Sequence, residues 1–200
     1  FEGCTSLESL TLPFVGDKAE NAWRRSLGFL FGTNDYNNGD VPSSLKTVTV
    51  RNTKNVVDLS REAFEGCSSI TSVIIGEGVK RVGSFRNCAS LISVTISDDV
   101  ESIDSSAFEG CSALKTVVLG NGIYRIESGM FRGCTSLTDL TIGNGLYRIY
   151  RGAFEDCPIT SIKYNGTKAE WESEVENEDG WHCDKVKQVI CTDGVITVNA

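Results

Sequence analysis

The amino-acid sequence predicts a β-rich, right-handed solenoid of coils about 23 residues long, with a short α-containing insertion and a small mixed α/β C-terminal cap. Three observations predict it. The pair Phe-x-x-Cys occurs at Phe1/Cys4, Phe64/Cys67, Phe85/Cys88, Phe108/Cys111, Phe131/Cys134 and Phe154/Cys157, and the last five cysteines are spaced by 21, 23, 23 and 23 residues. Behind each lies an apolar triplet whose last two members alternate, the period of a strand with one buried face. A Gly-rich turn and a second apolar pair three residues apart then follow in most coils. One coil alone would leave most of its inward side chains wet. Stacking at about 4.8 Å pairs each strand with its neighbours and joins the side chains into one core.

The elements follow in order. Leu7/Leu10/Leu12 form the first triplet, and Leu45/Val48/Val50 form the next without a Phe-x-x-Cys ahead of them. From Leu7 to Leu45 is 38 residues, well over one period, so an insertion occupies about residues 14–43. Within it Asp17-Lys18-Ala19-Glu20 reads as a capping box opening a short helix through Trp23 and Leu27, ahead of the apolar Gly28-Phe29-Leu30-Phe31-Gly32. Trp23, Phe29, Leu30 and Phe31 either pack on the solenoid flank or form an exposed aromatic contact loop, since inserts in repeat proteins often map to the binding face. The tip Tyr36-Asn37-Asn38-Gly39-Asp40 reads as a solvated loop.

Regular coils come next. Their triplets are Ile70/Val73/Ile75, Leu91/Val94/Ile96, Leu114/Val117/Leu119, Leu137/Leu140/Ile142 and Ile159/Ile162/Tyr164. The second wall is built from Val56/Leu59, Val79/Val82, Val100/Ile103, Ile123/Ile126 and Leu146/Ile149. After Tyr164 the repeat stops. Thr167-Lys168-Ala169-Glu170 is a second capping box, ahead of Trp171 and Val175, and Thr192-Asp193-Gly194 lies between two apolar runs as a strand-turn-strand signal. The expected division is a solenoid over residues 1–164 and a cap over residues 165–200.

The unit F-x-x-C-x-x-L-x-x-L-x-L, a Gly-rich turn, V/I-x-x-I and Ala-Phe resembles the bacterial surface leucine-rich repeat family of the BspA type. Residues 108–131, FEGCSALKTVVLGNGIYRIESGMF, match that pattern throughout, and the resemblance covers about residues 1–13 and 44–164. It implies a leucine-rich repeat solenoid of a secreted or surface-anchored bacterial protein, engaged in adhesion and in host or interbacterial contact, with no shared catalytic residues. The ending also resembles the family's, through Gly166-Thr167-Lys168-Ala169 with Trp171 and through Cys191-Thr192-Asp193-Gly194. Cysteine precedes the strand here, whereas the general leucine-rich pattern places Asn or Cys after it. The second wall reads as strand or irregular turn, so the deep horseshoe of helix-backed repeats is not expected.

Composition narrows the function. A net charge of −8 opposes nucleic acid and anionic lipid, and no run of apolar residues is long enough to span a bilayer. Phe1 falls inside a repeat element, so the chain reads as cut from a longer one. The single histidine, His182, removes most imidazole-dependent chemistry. Five of the eight cysteines share one repeat position and should form a buried, reduced ladder, because equivalent side chains point in parallel. Cys183 and Cys191 lie outside it and could pair in an oxidising compartment. With His182 they give only three irregularly spaced candidate ligands, so no metal is expected, and no cofactor either. Gly120-Asn121-Gly122 lacks the helix N-terminus a phosphate site needs, and Asn165-Gly166-Thr167 is better read as a turn than as a glycosylation sequon.

Register arranges the outward residues in rows. On the first wall Ser9, Thr47, Ser72, Ser93, Thr116, Asp139 and Ser161 run beside Thr11, Thr49, Ile74, Thr95, Val118, Thr141 and Lys163, either a plain solvated sheet or a platform for a glycan or peptide. On the second wall Lys80-Arg81, Tyr124-Arg125 and Tyr147-Arg148 align, with Glu101-Ser102 between them and Tyr150 and Arg151 nearby. Tyr and Arg are enriched in energetic hot spots, which makes Arg81, Tyr124, Arg125, Tyr147 and Arg148 the candidate partner-binding residues. The competing reading has each arginine paired with a carboxylate such as Glu101. No nucleophile and base converge, so the expected protein is a monomeric, non-enzymatic surface or secreted binding module for a protein or glycan. The alternative is a structural spacer that projects another domain.

Overall fold

The computed structural model describes residues 1–13, 26–32, 38–52, 57–59, 63–175 and 185–198. The apolar triplets and pairs supply its strands. In chain order these are β1 (Ser9–Leu12), β2 (Thr47–Val50), β3 (Val57–Asp58), β4 (Ser72–Ile75), β5 (Val79–Val82), β6 (Ser93–Ile96) and β7 (Ser102–Ile103). The alternation continues through β8 (Thr116–Leu119), β9 (Arg125–Ile126), β10 (Asp139–Ile142), β11 (Arg148–Ile149) and β12 (Ser161–Tyr164). Helix α1 (Lys168–Glu174) and the strands β13 (Gln188–Cys191) and β14 (Gly194–Thr197) follow.

The first wall is a nine-stranded sheet in the order β1-β2-β4-β6-β8-β10-β12-β13-β14. It is parallel up to β13, and only the β13–β14 hairpin is antiparallel. Equivalent residues pair: Val48 lies beside Val73, Val73 beside Val94 and Val94 beside Val117. A slip of one residue would turn every buried side chain outward, so the alternating pattern itself fixes this register. The second wall is a three-stranded sheet, β3-β5-β7, and a separate pair, β9-β11. Between β7 and β9 the ladder is open, although Ile103, Ile126 and Ile149 are evenly spaced in sequence.

A third column of backbone bonds runs along the Phe-x-x-Cys corner. The Phe85, Phe108 and Phe131 N–H groups donate to the carbonyls of Ala107, Met130 and Ala153 at 2.6, 2.9 and 2.8 Å. Inside the corner the rings of Phe64, Phe85, Phe108, Phe131 and Phe154 form one stack, with successive centroids 4.7, 5.2, 5.4 and 5.6 Å apart. Each thiol donates to the phenylalanine carbonyl of the preceding coil, Cys88 to Phe64 at 2.9 Å, Cys111 to Phe85 at 3.0 Å, Cys134 to Phe108 at 3.1 Å and Cys157 to Phe131 at 2.8 Å. All seven described cysteines are free, and only Cys4 is exposed.

These contacts fix how the thiols behave. The neighbouring Cys88 thiol and then burial push the Cys111 thiol far above its ordinary value, and Cys157 and burial do the same to Cys134. A neutral, buried thiol is a poor nucleophile. Iodoacetamide at mildly alkaline pH should therefore label Cys4 in the folded protein and leave Cys88, Cys111 and Cys134 unmodified until denaturant is added. Mass spectrometry of the labelled peptides checks this, and rapid labelling of Cys111 in the native state would show that the corner is open.

The residue two places past each ring takes a left-handed conformation, with φ of 70° at Gly66, 60° at Asn87, 75° at Gly110, 70° at Gly133 and 61° at Asp156. Only Gly, Asn and Asp visit that region readily, which explains the residue types found there.

In the insertion the capping box at residues 17–20 and Trp23 lie outside the described residues. Leu27–Phe31 forms a 3-10 helix with Leu27 and Phe31 buried, Leu30 packed against the core and Phe29 half-buried. This segment lies against the flank. One expectation is corrected at the tip: Asn38 is buried, not solvated. Its side-chain oxygen accepts from the Gly28 N–H at 2.6 Å, and its amide donates to the Glu65 carbonyl at 2.7 Å. A side chain that satisfies two buried backbone groups is held inside in spite of its polarity.

At the far end Thr167 caps α1 in the predicted capping box, accepting from the Glu170 N–H while the Glu170 carboxylate accepts from the Thr167 N–H at 2.6 Å. Trp171 places its ring edge-on to Tyr164, with centroids 5.1 Å apart, and so ties the helix to β12. The Thr167 backbone and side-chain bonds hold the Glu170 carboxyl below its ordinary value. A lowered carboxylate adds stability that is present above the ordinary carboxylate range and is lost as pH falls through the lowered value. Thr167→Ala should remove about 1 kcal/mol, measured by denaturation at neutral pH.

Candidate functional site

The repeat places the second-wall candidates as two rows. Pairing sets Arg81 beside Ser102 and Arg125 beside Arg148. Because both the pair Tyr-Arg and its spacing recur, the Tyr124 and Tyr147 rings stack face to face, 4.8 Å apart and 5° from parallel. The guanidinium carbon of Arg125 lies 5.5 Å from the Tyr124 centroid, and that of Arg148 lies 5.0 Å from the Tyr150 centroid. Tyr124 remains 47% exposed. Rings held by stacking and cations held over rings are both ordered before any partner arrives.

The charges are distributed unevenly. Glu101 accepts from the Lys80 ammonium at 2.8 Å, a bond that raises the Lys80 pKa. That carboxylate is therefore committed to a lysine and not to an arginine. Among the described residues no carboxylate lies within salt-bridge distance of Arg125. Arg81 sits next to Asp58 in register, on the far side of the open junction between β7 and β9. The structure thus gathers Tyr124, Arg125, Tyr147 and Arg148 into one group and leaves Arg81 on the neighbouring sheet.

Two depressions flank this group. One, of about 170 Å³, lies at the open junction and is lined by Glu101, Ser102, Ile103, Tyr124, Arg125 and Glu127. The other, of about 410 Å³, is lined by Ser128, Arg132, Arg151, Gly152 and Glu155, with the Arg132 Nε 2.7 Å from the Glu155 carboxylate. In the two depressions Arg125, Arg132 and Arg151 face Glu101, Glu127 and Glu155, so the charges there balance, and Arg148, paired in register with Arg125, adds one more positive charge beside them.

Sequence reasoning passed over Glu127, Ser128, Arg132 and Glu155. A usable signal existed for the last two. The residue following each phenylalanine of the stack reads Glu65, Arg86, Glu109, Arg132 and Glu155, an alternation of sign from coil to coil. Arg86 meets Glu109 at 3.2 Å, and Arg132 meets Glu155. Both pairs are substantially exposed, so each contributes little stability on its own.

The first wall presents its two outward rows as expected. Ser93 donates to the Ser72 hydroxyl at 3.1 Å, and Lys163 approaches Asp139 at 4.0 Å. Ile74 is exposed on this face, and Ile92 is exposed just ahead of β6. Among the described residues the face holds no stacked aromatics comparable to the second wall. Among the described residues no group of three His, Cys, Asp or Glu side chains could hold a metal, and no helix is long and apolar enough to cross a membrane. His182 and Cys183 lie outside the described residues, and Cys191 is a free, buried thiol.

A family model described as BspA type leucine rich repeat region matches residues 57–175 in 6 copies. Among solved structures, the chain is similar to a leucine rich repeat protein of T. pallidum, with 28% identity and a TM-score of 0.52 over 57% of each chain. It is also similar in fold to a leucine rich cell surface protein of Faecalibacterium prausnitzii A2-165, with 24% identity and a TM-score of 0.56 over 92% of this chain and 48% of that one. The chain thus spans about half the length of the solved proteins it matches. No curated protein matches it.

Proposed function

Since this chain belongs to the BspA type leucine-rich repeat family, we propose that it is a non-enzymatic binding module of a bacterial surface or secreted protein, which holds a protein or glycan partner on its second wall. The observation that carries this reading is the stacked Tyr124–Tyr147 pair flanked by Arg125 and Arg148, ordered, partly exposed and positively charged on an acidic protein. Pre-ordered aromatic and arginine side chains lose little conformational entropy on binding, and these residue types dominate binding energy where partners meet. The role is adhesion or contact with a host or neighbouring cell. The module acts outside the cell as a monomer, without a cofactor.

The test is binding of the purified chain to immobilised host matrix proteins, mucins and bacterial glycans, alongside the double variant Arg125→Glu/Arg148→Glu. Saturable binding by the wild-type chain should weaken at least about tenfold in the variant, a change of about 1.4 kcal/mol. Arg125 is exposed and Arg148 half-buried, so thermal unfolding of the variant is recorded beside the binding, and a folded variant that no longer binds is the expected result. The absence of any saturable binding, or binding indifferent to the double reversal, would remove the second wall as the site. A wholly silent surface would favour the spacer reading, in which the coils only project a neighbouring domain.

A further inference from the structure

From the open junction between β7 and β9 we infer a subsite for a single neutral saccharide ring, a conclusion that rests on the second wall being the contact face. The junction is a local defect. On the first wall β6 and β8 of the same two coils remain paired, Val94 beside Val117, and at the corner Phe85 stacks on Phe108 at 5.2 Å. The coils therefore stay in contact on two sides and part only on the third. Strands β7 and β9 face each other there without pairing, leaving backbone polar groups turned toward the space between them.

Size and chemistry then limit the occupant. A volume of about 170 Å³ is well below the range of about 300–1,000 Å³ typical of drug-sized ligands, so it admits one ring and not a folded segment of a partner. The lining mixes a partly exposed aromatic ring at Tyr124, a hydroxyl at Ser102, a guanidinium at Arg125 and carboxylates at Glu101 and Glu127, over a floor at Ile103, which is itself buried in the core. An anionic ligand would meet the two carboxylates, and a cationic one would meet Arg125 and the lysine bound to Glu101. A neutral ring with several hydroxyls suits both signs, donating to the carboxylates, accepting from the guanidinium and laying its C–H face on the tyrosine. A pyranose has that combination.

The experiment is a titration of the isotope-labelled chain with methyl glucoside, methyl galactoside, methyl mannoside and N-acetylglucosamine, followed by amide chemical shifts. At least one should shift the amides of Glu101, Ser102, Tyr124 and Glu127 saturably, with a Kd on the order of 1–10 mM for so small a ligand. Tyr124→Ala should weaken that titration about tenfold, while Tyr124→Phe, which keeps the ring, should retain most of it. Matching thermal unfolding curves would show that neither variant disturbs the coil. If none of the four sugars moves these amides, or if Tyr124→Ala titrates like the wild type, the subsite does not exist. The two readings fail differently. A mucin that still binds after enzymatic removal of its glycans and is lost in Arg125→Glu/Arg148→Glu, with none of the four sugars moving the junction amides, would uphold the second wall and overturn the saccharide subsite. Sugar shifts at the junction, with macromolecular binding indifferent to the double reversal, would do the opposite.

Discussion

Replacing Phe108 with alanine should destabilise the protein by about 3–5 kcal/mol, the range for removing a fully buried aromatic ring. Phe108 has no exposed surface and stacks on both sides, 5.2 Å from Phe85 and 5.4 Å from Phe131. Its loss leaves a void in the middle of a column whose neighbours are held by backbone bonds on the first wall and at the corner, so the walls cannot collapse inward to fill it. Phe64, at the end of the column and stacked on Phe85 alone among the described rings, should lose less. Urea denaturation of the two variants measures the difference. If Phe64→Ala proved as damaging as Phe108→Ala, the ring column would not be the element that joins the coils. A stack of neighbour-only contacts also predicts a broadened transition for the central variant, because the two halves lose their coupling.

The second large effect is expected at a glycine with ordinary backbone angles. A methyl group added at Gly145 would run into the carbonyl oxygen of Asn121 in the preceding coil, and one at Gly143 would lie 2.5 Å from the Asn121 Cα. The Gly-Asn-Gly turns are packed one on another, backbone to backbone, and the stack is tightened by the Asn144 N–H donating to the Asn121 side chain at 3.1 Å and the Asn121 N–H donating to Asp98 at 2.7 Å. Gly145→Ala must push two coils apart and should remove about 3 kcal/mol, the upper end for overpacking. Gly66 is the contrasting case. It has a φ of 70° but nothing within 4 Å of an added methyl group, so Gly66→Ala should lose only about 1 kcal/mol. Thermal unfolding of the pair checks the order, and a larger loss at Gly66 would mean that conformation and not close packing selects the turn glycines.

Most of the architecture was legible because it depends on periods. Leu91, Val94 and Ile96 recur as Leu114, Val117 and Leu119, and such a recurrence fixes strand, register and buried face together. The cysteine ladder was legible for the same reason, since side chains at one repeat position point in parallel. Asn38 was not, because a polar residue in an insertion gains its burial from Gly28 and Glu65, partners that no local pattern identifies. The rows of tyrosine and arginine on the second wall could be read, whereas the opening between β7 and β9 could not. The spacing there equals that of the next coil, and nothing in the sequence spacing accounts for the opening. Arg81 shows the limit of register alone: alignment in sequence placed it with Arg125 and Arg148, and the break in the sheet sets it apart.

The alternating charges that follow the ring column bear on how such a chain can change length. Glu65, Arg86, Glu109, Arg132 and Glu155 repeat in sign only every second coil. Deleting the coil that carries Arg86 would set Glu65 against Glu109, and duplicating it would set arginine against arginine. Like charges facing each other across neighbouring corner turns, as exposed as these, repel by at most about 1 kcal/mol. Removing or adding two coils together leaves every pair matched. In this one respect the corner charges make a doublet of coils, and not the single coil, the step in length that keeps every neighbour opposite in sign.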